Sequence, residues 1–165
     1  MKNIFCTLFI VILLSTSSYA ASSGDSGNGS MTKTKSSYDK AVTIIKSAKK
    51  YEKKDKIKKA NKKYEKALNL LIKSNEKKPN KADTLNYLGF TTRKLGDYAG
   101  GEKYYLQGLT IEPNHNGINE YLGELYVVTN RIDLAKERLE VLKSCNCEEY
   151  DELKAIIDVK KKSKY

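Results

Sequence analysis

From about residue 38 onward, apolar and small residues recur three or four positions apart, the period of an amphipathic helix. Ile44, Ala48 and Tyr51 mark one stripe, and Ile57, Ala60, Tyr64, Ala67 and Leu71 a second. Leu85, Leu88 and Gly89 are followed by Tyr98, Gly101, Tyr105, Gly108 and Leu109, then by Leu122, Gly123 and Tyr126, then by Ile132, Ala135, Leu139 and Leu142. Leu153, Ile156 and Ile157 close the series. The stripes are separated by short polar breaks at Lys54-Asp55, Gly96-Asp97, Pro113-Asn114 and Asn130-Arg131, residues that turn a chain or stop a helix. The pattern predicts an all-α chain of antiparallel helix pairs and no sheet. Ser36 or Ser37 caps the first helix, with Asp39 in its first turn.

The stripes also repeat among themselves, which decides the fold class before any motif does. Pro113 follows Pro79 by 34 residues, and the same spacing pairs Leu88 with Leu122, Gly89 with Gly123, Tyr98 with Ile132, Gly101 with Ala135 and Tyr105 with Leu139. Small residues at 89, 101 and 108 allow two helices to approach closely. The first pair is less regular, because Pro79 arrives seven residues late. Seven residues are two helical turns, so an elongated second helix keeps Ile57, Ala60, Tyr64, Ala67 and Leu71 on one face. The rival register, counted 34 back from the next unit, would put Lys54 and Asp55 in the core at high cost. The elongated helix is the preferred reading.

Leu88-Gly89, the run Lys94-Leu95-Gly96-Asp97-Tyr98 and Pro113-Asn114 are the letters by which the sequence resembles a tetratricopeptide repeat. Gly stands at 101 and 108 where that family usually has Ala, and Thr92 where it usually has Tyr, departures expected to loosen packing. The resemblance covers residues 36–161. It implies repeats at about 38–79, 82–115 and 116–149, a capping helix at 150–161, and a right-handed superhelical array; residues 162–165 are a basic tail. The chain is also similar to small exported bacterial repeat proteins that end in Cys-x-Cys-Glu-Glu-Tyr and a short helix, a likeness that names no activity.

Met1-Lys2-Asn3, an apolar run from Ile4 to Leu14, and small residues at Ser18 and Ala20 have the layout of a secretory signal peptide over residues 1–20, cleaved after Ala20. The run is too short to cross a bilayer, which needs roughly 20 residues. Cys6 lies inside it and leaves with it. Residues 21–35 are rich in Ser, Gly and Thr, with little to bury, and read as a flexible linker. The mature chain is expected outside the cytoplasm, in a bacterial periplasm, with no transmembrane segment.

The net charge of +11 is local. Residues 46–81 hold 15 lysines against Glu52, Asp55, Glu65 and Glu76, a surplus equal to that of the whole chain. One reading is a basic hairpin meeting an anionic lipid, polysaccharide or other polyanion; the other is a solvated outer helix face. Lysine supplies every cation and offers no bidentate fork for phosphate, and export removes most nucleic acid, so nucleic acid is not the expected partner. His115 is the only histidine and reads as a solvent-facing loop residue. Without a second His, a nucleophile motif or a phosphate loop, no enzyme, metal or cofactor is expected. Cys145 and Cys147 remain open between a bridge that pins the last inter-repeat loop, two buried thiols, and an intermolecular bridge or metal site.

In the family that the sequence resembles, the first helices of successive pairs line a concave groove. That resemblance implies a groove faced by Asp83, Asn86, Phe90, Arg93, Lys94, Glu120, Glu124 and Val127. Asn86 is one position away from the asparagine of the family's carboxylate clamp, so no clamp is inferred. Two expectations follow: an interaction or scaffold module that holds a peptide or protein partner in the groove, and an envelope-surface adaptor acting through residues 46–81.

Overall fold

The computed structural model describes residues 35–162. The expected signal peptide, the linker up to residue 34 and the residues after 162 lie outside them. Seven α-helices follow one another: α1 Ser37–Glu52, α2 Ile57–Lys77, α3 Ala82–Lys94, α4 Tyr98–Ile111, α5 Asn116–Val128, α6 Ile132–Leu142 and α7 Glu148–Lys162. The all-α array of antiparallel pairs is therefore present, with α7 as the closing helix, beginning two residues earlier than expected. α1 packs on α2, α3 on α4 and α5 on α6. The first helices also touch along the array, α1 with α3, α3 with α5 and α5 with α7, while α2, α4 and α6 do not touch one another. An inner layer closer together than the outer one curves the array, with the first helices on the concave side.

Local chemistry sets the boundaries. Ser36 caps α1 in a capping box, its Oγ accepting from the Asp39 amide while the Asp39 carboxylate accepts from the Ser36 amide. Five of the six connections contain one residue at positive φ: Asp55 (54°), Asn80 (57°), Gly96 (98°), Asn130 (61°) and Asn146 (47°). Apart from Gly, Asn and Asp are the residues that occupy this left-handed region most readily. The α4–α5 connection uses Pro113 instead. Its His115 is not the solvent-facing residue expected. The side chain is 14% exposed; Nδ1 accepts from the Ile118 amide to cap α5, and Nε2 lies 3.2 Å from Asp83 Oδ1.

α2 has 21 residues, against 14 in α4 and 11 in α6, so the elongated helix is present, with Lys54 and Asp55 in the turn before it. Matching Asp55 with Gly96 gives an offset of 41 for the first pair, where 34 relates the other two. Ala48 then stands where Gly89 and Gly123 stand, Tyr64 matches Tyr105, and Ala60 and Ala67 match Gly101 and Gly108. The core forms two clusters. One joins α1, α2 and α3 around Ile45, Tyr64, Leu71 and Leu88; the other joins α4 to α7, with Ala82 at the start of α3, around Tyr105, Ile118, Leu122 and Leu153. Tyr121 packs against both.

Gly101 and Gly108 do not loosen the packing. A Cβ on Gly101 would stand 3.0 Å from the Gly89 carbonyl oxygen, and one on Gly108 2.5 Å from Ile118 Cδ1. Backbone and side chain have closed onto the missing methyl groups. Gly89 is tighter still: its Cβ would fall 2.5 Å from the ring of Tyr105, which is itself fully buried. Gly89→Ala is expected to lower unfolding stability by about 1–3 kcal/mol through overpacking, read as a fall in the urea midpoint at unchanged slope. An unchanged midpoint would mean that Tyr105 has room to move aside.

Candidate functional site

Across the inner layer runs a cleft of about 300 Å³ lined by Lys49 and Glu52 of α1 and Lys53 at its C-cap, Phe90, Arg93 and Lys94 of α3, Tyr121 and Glu124 of α5, and Glu152 of α7. Two aromatic rings lie at its centre. Phe90 and Tyr121 have centroids 4.9 Å apart, and Tyr64 meets the other side of Phe90 edge-on at 5.9 Å. Lys49 Nζ stands 4.7 Å from the Phe90 centroid and 5.2 Å from that of Tyr121, and donates to the Tyr121 hydroxyl at 3.0 Å. A cation over two ring faces is held by their quadrupoles as well as by the hydrogen bond. The Arg93 guanidinium lies 5.8 Å and 5.9 Å from the same two centroids.

Most of the cleft's charges are matched within it. Arg93 pairs with Glu124 and Lys94 with Glu52, whose second oxygen accepts from the Tyr64 hydroxyl at 2.7 Å. Burial works against ionisation of Glu52, but the bonds from Lys94 and Tyr64 outweigh it and hold the carboxyl below its usual range. Burial likewise opposes the charge of Arg93, and the fields of Tyr105 and Glu124 overcome it. Lys49 and Lys53 form no ion pair among the described residues.

The eight groove residues inferred from the sequence divide in two. Phe90, Arg93, Lys94 and Glu124 line one cleft together. Asn86 and Val127 are buried in the packing, and Asp83 lies at the array's edge beside His115. Glu120 is 4% exposed beneath the cleft floor. Lys49, Glu52, Lys53, Tyr121 and Glu152 were not inferred. The missing signal for α1 is the offset of 41, which carries Phe90, Arg93 and Lys94 onto Lys49, Glu52 and Lys53. No spacing marks Glu152, because α7 begins a unit that has no second helix among the described residues.

Glu120, Glu124 and Glu152 each bring a carboxylate oxygen within 4.8 Å of the others. A cation would find oxygen ligands there, but Arg93 already occupies Glu124. A proton answers the crowding differently. Burial, the bond to Glu152 and the charges of Glu124, Glu152 and Glu149 push the Glu120 carboxyl up to about 9. Folding therefore binds a proton that the unfolded chain releases near 4.5. The linked stability is fully present below that value and is lost as pH rises through about 9. Between pH 6 and 8 the slope approaches about 1 kcal/mol per pH unit, and Glu120→Gln is expected to flatten it. Urea midpoints at three pH values check this, and equal slopes in both proteins would show that Glu120 does not hold the proton. Cys145 and Cys147 are joined as a disulfide in the connection before α7.

No protein-family model matches the sequence, and no curated protein matches it. Solved structures do. The first TPR of Spaghetti (RPAP3), bound to the HSP90 peptide SRMEEVD, is 19% identical and superposes with a TM-score of 0.51 over 74% of this chain and 94% of that one. The first TPR domain of the human RPAP3 protein is 17% identical, with a TM-score of 0.52 over 74% of this chain and 96% of that one. The Yersinia enterocolitica type III secretion translocator chaperone SycD aligns at 15% identity and a TM-score of 0.46, over 76% and 95% of the two chains. At such identities the likeness is one of fold: the described residues form a tetratricopeptide-repeat array of three helix pairs and a closing helix.

Proposed function

We propose that this chain is a non-enzymatic interaction module that holds a peptide or protein segment in the cleft of its inner layer. The observation that supports this most is the continuity of that cleft over α1, α3, α5 and α7, with an aromatic floor and charges of both signs on its walls. The Spaghetti domain, of the same fold, is bound to a peptide. Lys53 is an exposed wall charge that forms no ion pair among the described residues, so it suits a test that spares the fold, whereas Glu152 is bonded to the buried Glu120 and is left in place. Lys53→Glu is expected to weaken capture of the partner several-fold, as a reversed rim charge slows association. Lys136→Glu, on α6, leaves it unchanged. Equal recovery of the partner by the cleft variant and the wild type would remove the cleft from the interaction.

A second surface has its own support. The ion pairs among the described residues are made by Arg93, Lys94, His115, Arg131, Lys136, Arg138, Lys143 and Lys154, and by none of the 15 lysines of residues 46–81. We infer that this hairpin is an accessory contact for a polyanion, and that the module works after export. The intact mass of the protein from an envelope fraction, taken without reductant, tests the export reading. It is expected to correspond to a chain starting at Ala21, two hydrogens lighter than its fully reduced form because Cys145 and Cys147 are joined. A mass starting at Met1 would overturn the processing, and a mass unchanged by reduction would overturn the bridge.

A further inference from the structure

The surplus of lysine has a geometry. Lys59, Lys62, Lys66, Lys73 and Lys77 stand at i, i+3, i+7, i+14 and i+18 of α2, which puts them on one face of the helix. Ala60, Tyr64, Ala67 and Leu71, all buried, occupy the opposite face. All five lysines are exposed, and neither Glu65 nor Glu76 falls in their row. The eighteen steps from Lys59 to Lys77, at about 1.5 Å each, make a row about 27 Å long. The row exists at this length because α2 runs two turns beyond the pattern of the array.

At the C-terminal end of the row lies a cavity of about 390 Å³, with Lys77, Lys78 and Lys81 on its walls together with Ser37 and Ser74. Lys77 belongs to both features. The carboxylate of Asp83, also on the wall, is drawn toward His115 at 3.2 Å. Three lysines against the single carboxylate of Asp83, beside the hydroxyl-bearing Ser36, Ser37, Tyr38, Ser74 and Thr84, give the cavity a net positive, hydrogen-bonding lining that suits a tetrahedral oxyanion. The row beside it matches a flat sheet of such charges. Nucleic acid fits less well: α2 has no arginine, and its one aromatic side chain, Tyr64, is 1% exposed, so nothing on this face stacks on a base.

We propose that the α2 face binds an anionic phospholipid bilayer, with the lysine row lying along the headgroups and one headgroup phosphate seated between Lys77, Lys78 and Lys81. This rests on the polyanion reading above and names its ligand. Lysines near such a surface act additively and within about one Debye length, so attachment falls with salt. The array would then lie with its basic hairpin on the membrane and leave the cleft free for a partner.

The test sediments the full chain with vesicles of phosphatidylcholine alone, or with about a third phosphatidylglycerol, at low and moderate salt; the ratio of the two partition coefficients is the readout. Using a ratio cancels attachment through the apolar run at residues 4–14. The wild type is expected to show a ratio of about ten or more at low salt, falling toward one at moderate salt. Lys59→Glu/Lys62→Glu/Lys66→Glu/Lys73→Glu brings the ratio to about one, and Lys136→Glu/Lys143→Glu does not. Lys77→Gln/Lys78→Gln/Lys81→Gln, which leaves most of the row intact, lowers the ratio at least about threefold. A wild-type ratio of one, with salt-sensitive retention on heparin or single-stranded DNA, overturns the bilayer and leaves the polyanion reading standing. No retention on any of the three overturns both. Equal ratios in the wild type and the row variant overturn the assignment to α2.

Discussion

Tyr105 lies in the fold as it does because residue 89 has no side chain. Its ring occupies the space that a Cβ at 89 would need, and Gly101, one turn earlier on α4, lets the same helix approach the Gly89 carbonyl. Two glycines facing each other across α3 and α4 thus set the separation of the middle helix pair. Much follows from that separation. Phe90 and Arg93 are one and four residues after Gly89, so the position of α3 against α4 aims both into the inner layer. There Phe90 receives Tyr64 and Tyr121 from either side, and Tyr121 joins the two halves of the core. Arg93 reaches Glu124 on the next first helix. The cleft is a consequence of this approach more than of any residue on its rim.

The other pairs meet the same constraint with different atoms. Gly123 takes Leu153 of α7 where Gly89 takes Tyr105, and Ala48, fully buried, fills the matching place in the first pair, where Tyr64 turns its hydroxyl to Glu52. A fixed spacing of small residues with variable partners explains why the repeat is easy to see while its neighbours are hard to align. Gly89 with Gly123 and Pro79 with Pro113 declare the period at once. The residues that fill the resulting spaces differ in size and come from different helices.

What was legible in the sequence, and what was not, follows from this. The helix pairs, the long α2 and the turn at Lys54-Asp55 are written in periodicity and in the cost of burying charge. Of the eight inferred groove residues, Phe90, Arg93, Lys94 and Glu124 stand around the cleft, Asn86, Glu120 and Val127 are buried, and Asp83 stands beside His115. Position on a helix face does not say how deeply a neighbour covers it, so Asn86 and Val127 were placed on an open wall and are closed over. His115 was read from its loop, whereas its ring nitrogens cap α5 and meet Asp83, contacts that depend on a residue 32 positions away. The α1 wall was within reach: an offset of 41 in place of 34 carries Phe90 onto Lys49.

That offset also explains how the charge is distributed. In the cleft, cations and carboxylates come from different helices and compensate each other, so its field is short-ranged and its specificity depends on where each pair sits. On α2 none of the lysines of the row forms an ion pair among the described residues, and two of them, Lys73 and Lys77, stand in the turns added beyond the regular pattern. Two extra turns of amphipathic helix lengthen the buried stripe by Leu71 and the exposed row by Lys73 and Lys77 together. The core requires only the former. Solubility alone would be served by interspersed charges of both signs, whereas like charges at i,i+3 and i,i+4, as in Lys59-Lys62-Lys66 and Lys73-Lys77, repel each other. A surface that accepts that repulsion from Lys59 to Lys77 is better accounted for by an anionic partner that relieves it than by solvent.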